Sequence, residues 1–107
     1  DNSCIWGPST MRNGGSIPFE AWGNIGSCGD GFFVVPDPTD SRWVYSESQF
    51  GGIGRTDKTT GQTRNIQYRR PAGQDPVRYN WNAPIVISPH NPQTIYHAGQ
   101  MVLRSND

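Results

Sequence analysis

The chain has 107 residues, room for one small domain, and only 33% of them are hydrophobic, so any core must be thin. Nine basic residues balance nine acidic ones, and the signs are interleaved except at Arg69-Arg70, which excludes the electrostatic footprint of a nucleic-acid or anionic-membrane partner. The longest apolar stretch is too short to span a bilayer, and the opening Asp-Asn-Ser is not the basic-then-apolar pattern of a targeting signal.

With 13 Gly, 9 Pro, 4 Trp, 4 Tyr and 4 Phe, the composition predicts short aromatic-rich strands joined by tight turns, an all-β chain. Near the N-terminus, Ser3 to Trp6 reads as a strand. Cys4 can close a loop onto Cys28, or both can be free thiols; the spacing is not that of a metal site. Gly7 to Gly31 is crowded with Gly, Ser and Asn and reads as a long loop, with one short helical turn in "IPFEAWGNI".

From residue 32 the sequence repeats itself. Strands are expected at Phe32 to Val35, Trp43 to Glu47, Ile53 to Thr56 and Thr63 to Tyr68, with a Pro-Asp-Pro-Thr-Asp turn after the first and a hairpin at "DKTTGQ" before the last. Aligning Pro38 on Pro89, an offset of 51, places Val44 on Ile95 and Tyr45 on Tyr96. After two extra residues in the first copy, Ile53 meets Val102 and Arg55 meets Arg104. The second copy therefore has strands at Ile85 to Ser88, Thr94 to Ala98 and Met101 to Ser105, and no fourth. A period of this length fits a four-stranded propeller blade better than a helical repeat. Residues 1–107 then form a single domain: strand and loop (1–31), first blade (32–68), connection (69–84) and incomplete second blade (85–107).

The "SND" at 105–107 is similar to the start of an Asp-box, Ser-x-Asp-x-Gly-x-x-Trp, while "RTDKTTG" stands in the first copy where a box would be, without its Trp. Together with the blade pattern, the stretches "DNSCIWGPSTMRNGG", "GDGFFVVPDPTD", "VYSESQFGGIGRTDKTTG" and "RYNWNAPIVISPHNPQTIYHAGQMVLRSND" give the chain a resemblance to Asp-box (BNR) β-propellers. That group includes sortilin-type receptors, sialidases and xyloglucanase-type glycoside hydrolases, and the likeness is to large secreted bacterial members. The resemblance implies about two four-stranded antiparallel blades of a ring that has six to eight, and an extracellular or periplasmic setting. In the family the box is a folding element rather than an active site.

Two blades cannot close a ring, and each would expose an apolar face, so self-assembly of three or four copies is expected, with Ser3 to Trp6 supplying the strand the second copy lacks. The reading is an oligomerising structural or ligand-binding module for a carbohydrate or peptide; the alternative is a hydrolase, glycosidase-like in the parent family or promiscuous with a site at the assembled channel.

Candidate catalytic residues are Asp30, Glu47 and His97. Asp30, between two glycines, is either a projected carboxylate or a turn former. Glu47 is a charge in an aromatic-rich strand, and with Asp30 would make an acid and base pair only at glycosidase spacing. His97 is either a packed strand histidine or a general base. Arg12, Asn13, Trp22 and Trp81 are candidate ligand-binding residues, the tryptophans as a stacking platform for a sugar ring or as core. No phosphate-cradling glycine motif, nucleophile elbow or metal cluster stands out, and no cofactor is implied.

Overall fold

The computed structural model describes residues 2–11 and 14–106. The chain is all-β, three antiparallel sheets of two, four and three strands. The first pairs β1 (Cys4–Trp6) with β2 (Gly23–Ile25). The second is a meander of β3 (Val34–Pro36), β4 (Trp43–Ser48), β5 (Gly52–Asp57) and β6 (Thr63–Asn65). The third, likewise a meander, holds β7 (Ile85–Ile87), β8 (Ile95–Ala98) and β9 (Val102–Ser105). No helix among the described residues is long and apolar enough to cross a membrane.

The repeat is visible in the turns. Before β4, Asp37 Oδ1 accepts the Thr39 and Asp40 N–H groups at 2.8 and 3.2 Å. Before β8, Ser88 Oγ accepts those of His90 and Asn91 at 3.2 and 3.3 Å. The backbone follows the same path in both: Trp43 N–H donates to Asp40 O and Thr94 N–H to Asn91 O, at 3.0 and 2.9 Å. A short oxygen-bearing side chain that satisfies its own turn is needed at each position, and Asp or Ser serves equally.

The expected strands of both copies form, with no end moved by more than three residues. β6 is the exception in length. It stops at Asn65, whose Oδ1 accepts the Gln67 N–H at 2.8 Å and turns the chain out of the ladder.

The stretch expected as a long loop, Gly7 to Gly31, is more ordered than its composition suggests. It holds a 3-10 turn at Phe19–Ala21, where a short turn was expected, and β2, which pairs Cys4 with Ile25 and Trp6 with Gly23. β1 is therefore occupied within its own chain and does not complete the β7–β9 sheet. At Gly23 the Trp6 indole lies flush on the backbone where any Cβ would stand. Cys4 and Cys28 form a disulfide with Cα atoms 5.9 Å apart.

This N-terminal unit covers one face of the β3–β6 sheet. Ser46 Oγ donates to Gly26 O at 2.6 Å, the Ser27 side chain sits over Gly54, and Gly26 lies against Thr63. Small residues on both sides allow backbone-to-sheet approach. The opposite face, Val35, Tyr45, Glu47 and Ile53, meets β7 and β8, and there Tyr45, Ile53, Ile85 and Ile95 form the buried core with Val35 and Ile87 packed around it. The expectation that both sheets bare an apolar flank thus fails for the β3–β6 sheet, whose two faces are both covered within the chain.

Candidate ligand cleft between the sheets

Toward their later strands the two sheets part, leaving a cleft of about 990 Å³. Its floor is the alternation of β4, which directs Trp43 and Tyr45 to the same face, and Arg55, Tyr45's partner across the β4–β5 ladder. The Arg55 guanidinium lies over the Trp43 ring, 3.8 Å from its centroid, and 5.9 Å from that of Tyr45. Such stacking fixes the cation without consuming its hydrogen-bond donors, and the buried Arg55 Nε has no partner. Arg64 and Tyr68 line one wall, Leu103 and Arg104 the other, with Asp37 and Asp40 at the rim. Burial pushes the Tyr45 hydroxyl above its ordinary value, and Arg55 pulls partly the other way.

At the closed end, the junction between the sheets holds Glu47 and His97. Glu47 is fully buried. One of its oxygens accepts the Ala83 N–H at 3.0 Å, and the other has no hydrogen-bond partner. Burial raises its pKa, against the pull of the Ala83 N–H and of His97. His97 Nδ1 is 3.0 Å from Pro84 O, and Nε2 is 3.1 Å from Gly51 O. Carbonyl oxygens only accept, so both contacts are hydrogen bonds only when both ring nitrogens carry protons. Tyr79 stacks on the imidazole, with centroids 5.2 Å apart and planes at 27°. Two side chains from different sheets thus tie down adjacent linker residues, Glu47 holding Ala83 and His97 holding Pro84.

Of the predicted catalytic residues, the structure brings Glu47 and His97 to one junction, with backbone groups occupying three of their four polar atoms. Asp30 is placed elsewhere, in the turn closed by Gly31 N–H to Cys28 O at 3.0 Å, between Gly29 and Gly31 at φ 52° and 88°. That backbone is what the Gly-Asp-Gly sequence is for: both glycines occupy the left-handed region where a Cβ is strained.

Trp22 and Trp81 do not form a common platform. Trp22 packs on Gly7 beside the β1–β2 sheet. Trp81 stands edge-on to Phe50 and Phe32, with centroids 4.9 and 6.2 Å away. Phe50 holds φ 58° to meet it, and its N–H donates to Trp81 O at 3.1 Å. Arg12 and Asn13 lie outside the described residues. Among the described residues no three His, Cys, Asp or Glu side chains gather as a metal ion would require.

Sequence reasoning passed over Trp43, Arg55, Arg64 and Tyr68, the residues that shape the cleft. The available signal was Trp43 and Tyr45 two apart on a strand, with an arginine in the next. Neither a family model, nor a curated protein, nor a solved structure matches the chain.

Proposed function

We propose that the chain is a ligand-binding module built from two neighbouring blades of an Asp-box-type β-propeller, and that the cleft between them takes an acidic oligosaccharide. The blade reading rests on two meanders with the same turn 51 residues apart, the innermost strand of one packed on the first two of the other. The ligand reading rests on one observation: Arg55 held over Trp43 in an open cleft whose walls add Arg64 and Tyr68. Aromatic rings take the C–H face of a pyranose, and guanidinium groups take its carboxylate or sulfate. Binding rather than hydrolysis is favoured because Glu47 and His97 are engaged by the backbone.

The test is a titration of the 107-residue chain with short uronic-acid or sulfated oligosaccharides, neutral ones and acidic peptides, read by amide and indole NMR shifts. Acidic sugars are expected to move Trp43 and Arg55. Arg55→Ala should weaken that binding by about tenfold, the loss of one charge-assisted contact, and Trp81→Ala should leave it unchanged. Silence at the cleft with every acidic sugar overturns the reading. Turnover that disappears in Asp30→Asn and Glu47→Gln would replace it with the hydrolase.

A further inference from the structure

Two arginines stand directly opposite each other in the β3–β6 sheet. The β5–β6 register pairs Arg55 with Arg64, and the bonds from Ile66 N–H to Ile53 O and from Asp57 N–H to Gln62 O, each 2.9 Å, mark the hydrogen-bonded pairs two residues to either side. Arg55 and Arg64 are therefore a hydrogen-bonded pair as well, with Cα atoms about 5.5 Å apart and side chains on one face. Thr56 and Thr63 meet on the other face, hydroxyl to hydroxyl at 2.8 Å. Like charges placed opposite one another across a ladder destabilise it unless an anion lies between them.

The carboxylates that could neutralise this pair are engaged elsewhere. Asp57, two residues along β5 on the same face, accepts an Nε–H and an Nη–H of Arg42 and the Thr59 N–H. Asp37 feels the charge of Arg55, yet its Oδ1 holds the Thr39 hydroxyl and two N–H groups of its own turn. Asp40 accepts the Arg42 N–H at 3.0 Å. Across the cleft stand Ile95, His97 and Leu103, none of them acidic. Among the described residues neither Arg55 nor Arg64 has an ion-pair partner.

We propose, on the reading of the cleft as an acidic-sugar site, that the Arg55–Arg64 pair is an anion subsite that prefers a sulfate or phosphate ester to a carboxylate. A carboxylate has two oxygens in one plane, which a single guanidinium fork fills, and the second arginine keeps its charge. A sulfate or phosphate ester offers three terminal oxygens in a tetrahedral array, so two forks can close on it from different sides. Arg55 is preset for this by its place over Trp43, 3.8 Å from the ring centroid, and Arg64 is exposed and can swing onto the ligand.

Oligosaccharides of equal length that differ only in one acid group test this, with the arginine Nε–H resonances of the 107-residue chain as the readout. A sulfate or phosphate ester should bind about tenfold tighter than a uronate, the gain of one charge-assisted contact, and should move both Arg55 and Arg64. Arg64→Ala, a change at an exposed side chain, should erase that preference and leave uronate binding within about twofold of the parent. The ester preferred near neutral pH identifies the source: a phosphate preference should fade below about pH 6, where that group takes up a second proton, and a sulfate preference should not. A uronate that binds as tightly as either ester, or a preference that survives Arg64→Ala, overturns the subsite and leaves the acidic-sugar reading standing. If no sugar binds but inorganic sulfate still moves Arg55 and Arg64 and not Arg69 or Arg70, the subsite stands and the sugar reading falls. Equal shifts at all four arginines, or none, overturn the subsite.

Discussion

The β3–β6 and β7–β9 sheets enter their central strands through the same turn and keep the same antiparallel order, yet the first is buried on both faces and the second on one. The strands do not account for that difference, since aligned positions carry similar apolar residues. It comes from what lies outside the repeat. The disulfide-tied N-terminal unit closes the back of the first sheet, and the connection through Tyr79 and Ala83 locks its front to the second. A repeat sets the shape of a unit, and the substitutions within it set the company it keeps. Glu47 against Ala98, and Ser46 against His97, decide which face receives a connection and which side reaches across to a neighbour.

If the N-terminal unit is what makes the first sheet different, removing its staple should have the largest effect. A Cys4→Ser/Cys28→Ser chain should lose about 3 kcal/mol of stability, the loop-closure value for the separation of 24 residues. Denaturant unfolding measures the loss, and amide exchange should rise first at Ser46 and Gly54. An unchanged midpoint would mean that the back cover holds without the bridge.

Next comes the front junction. Glu47→Ala leaves the buried Ala83 N–H without an acceptor and should cost about 2 kcal/mol. Glu47→Gln retains an acceptor oxygen and should cost less than half of that. The two variants also separate charge from geometry. Because the folded Glu47 pKa is raised above its ordinary 4.5, the folded state holds a proton that the unfolded state has released. Stability from this group is complete below pH 4.5 and declines as pH rises through the raised value. Glu47→Gln should flatten that decline in a series of unfolding midpoints. A decline that persists in the variant would assign it to another group.

Much of this contrast was legible in the letters, and the part that was not has a physical reason. Alternation at Trp43 to Glu47, and again at Thr94 to Ala98, marks strands because a pleated strand with a buried face has period two. The turns were legible because Pro, Asp, Ser and Asn act locally. The back cover was not. β2 is Gly-Asn-Ile in a glycine-rich stretch without periodicity, and its pairing with β1 spans a loop whose closure depends on a cysteine pair that spacing alone cannot join. At the candidate site, Glu47 and His97 were conspicuous as polar residues in apolar strands. Their partners, an N–H at Ala83 and carbonyl oxygens at Gly51 and Pro84, belong to the backbone, and no side-chain pattern spells those out. The cleft was missed for a similar reason. Arg55 and Arg64 become neighbours only through the β5–β6 register.

The smallest effect is also the most pointed probe of the comparison. Ala98→Glu gives the second copy the residue of the first, and if position alone dictated cost it would be as damaging as burying an unpaired carboxylate. The aligned Glu47 is enclosed because the connection and β7 close over it, whereas Ala98 is only half-buried and its neighbours on that face, Val86 and Val102, are 53% and 72% exposed. The new carboxylate can reach water, so the expected change in single-chain stability is within about 0.5 kcal/mol, as at other surface positions. Measured at a dilution where single chains prevail, a loss several times larger would show that this face is already covered by its own chain, and the asymmetry between the sheets would vanish.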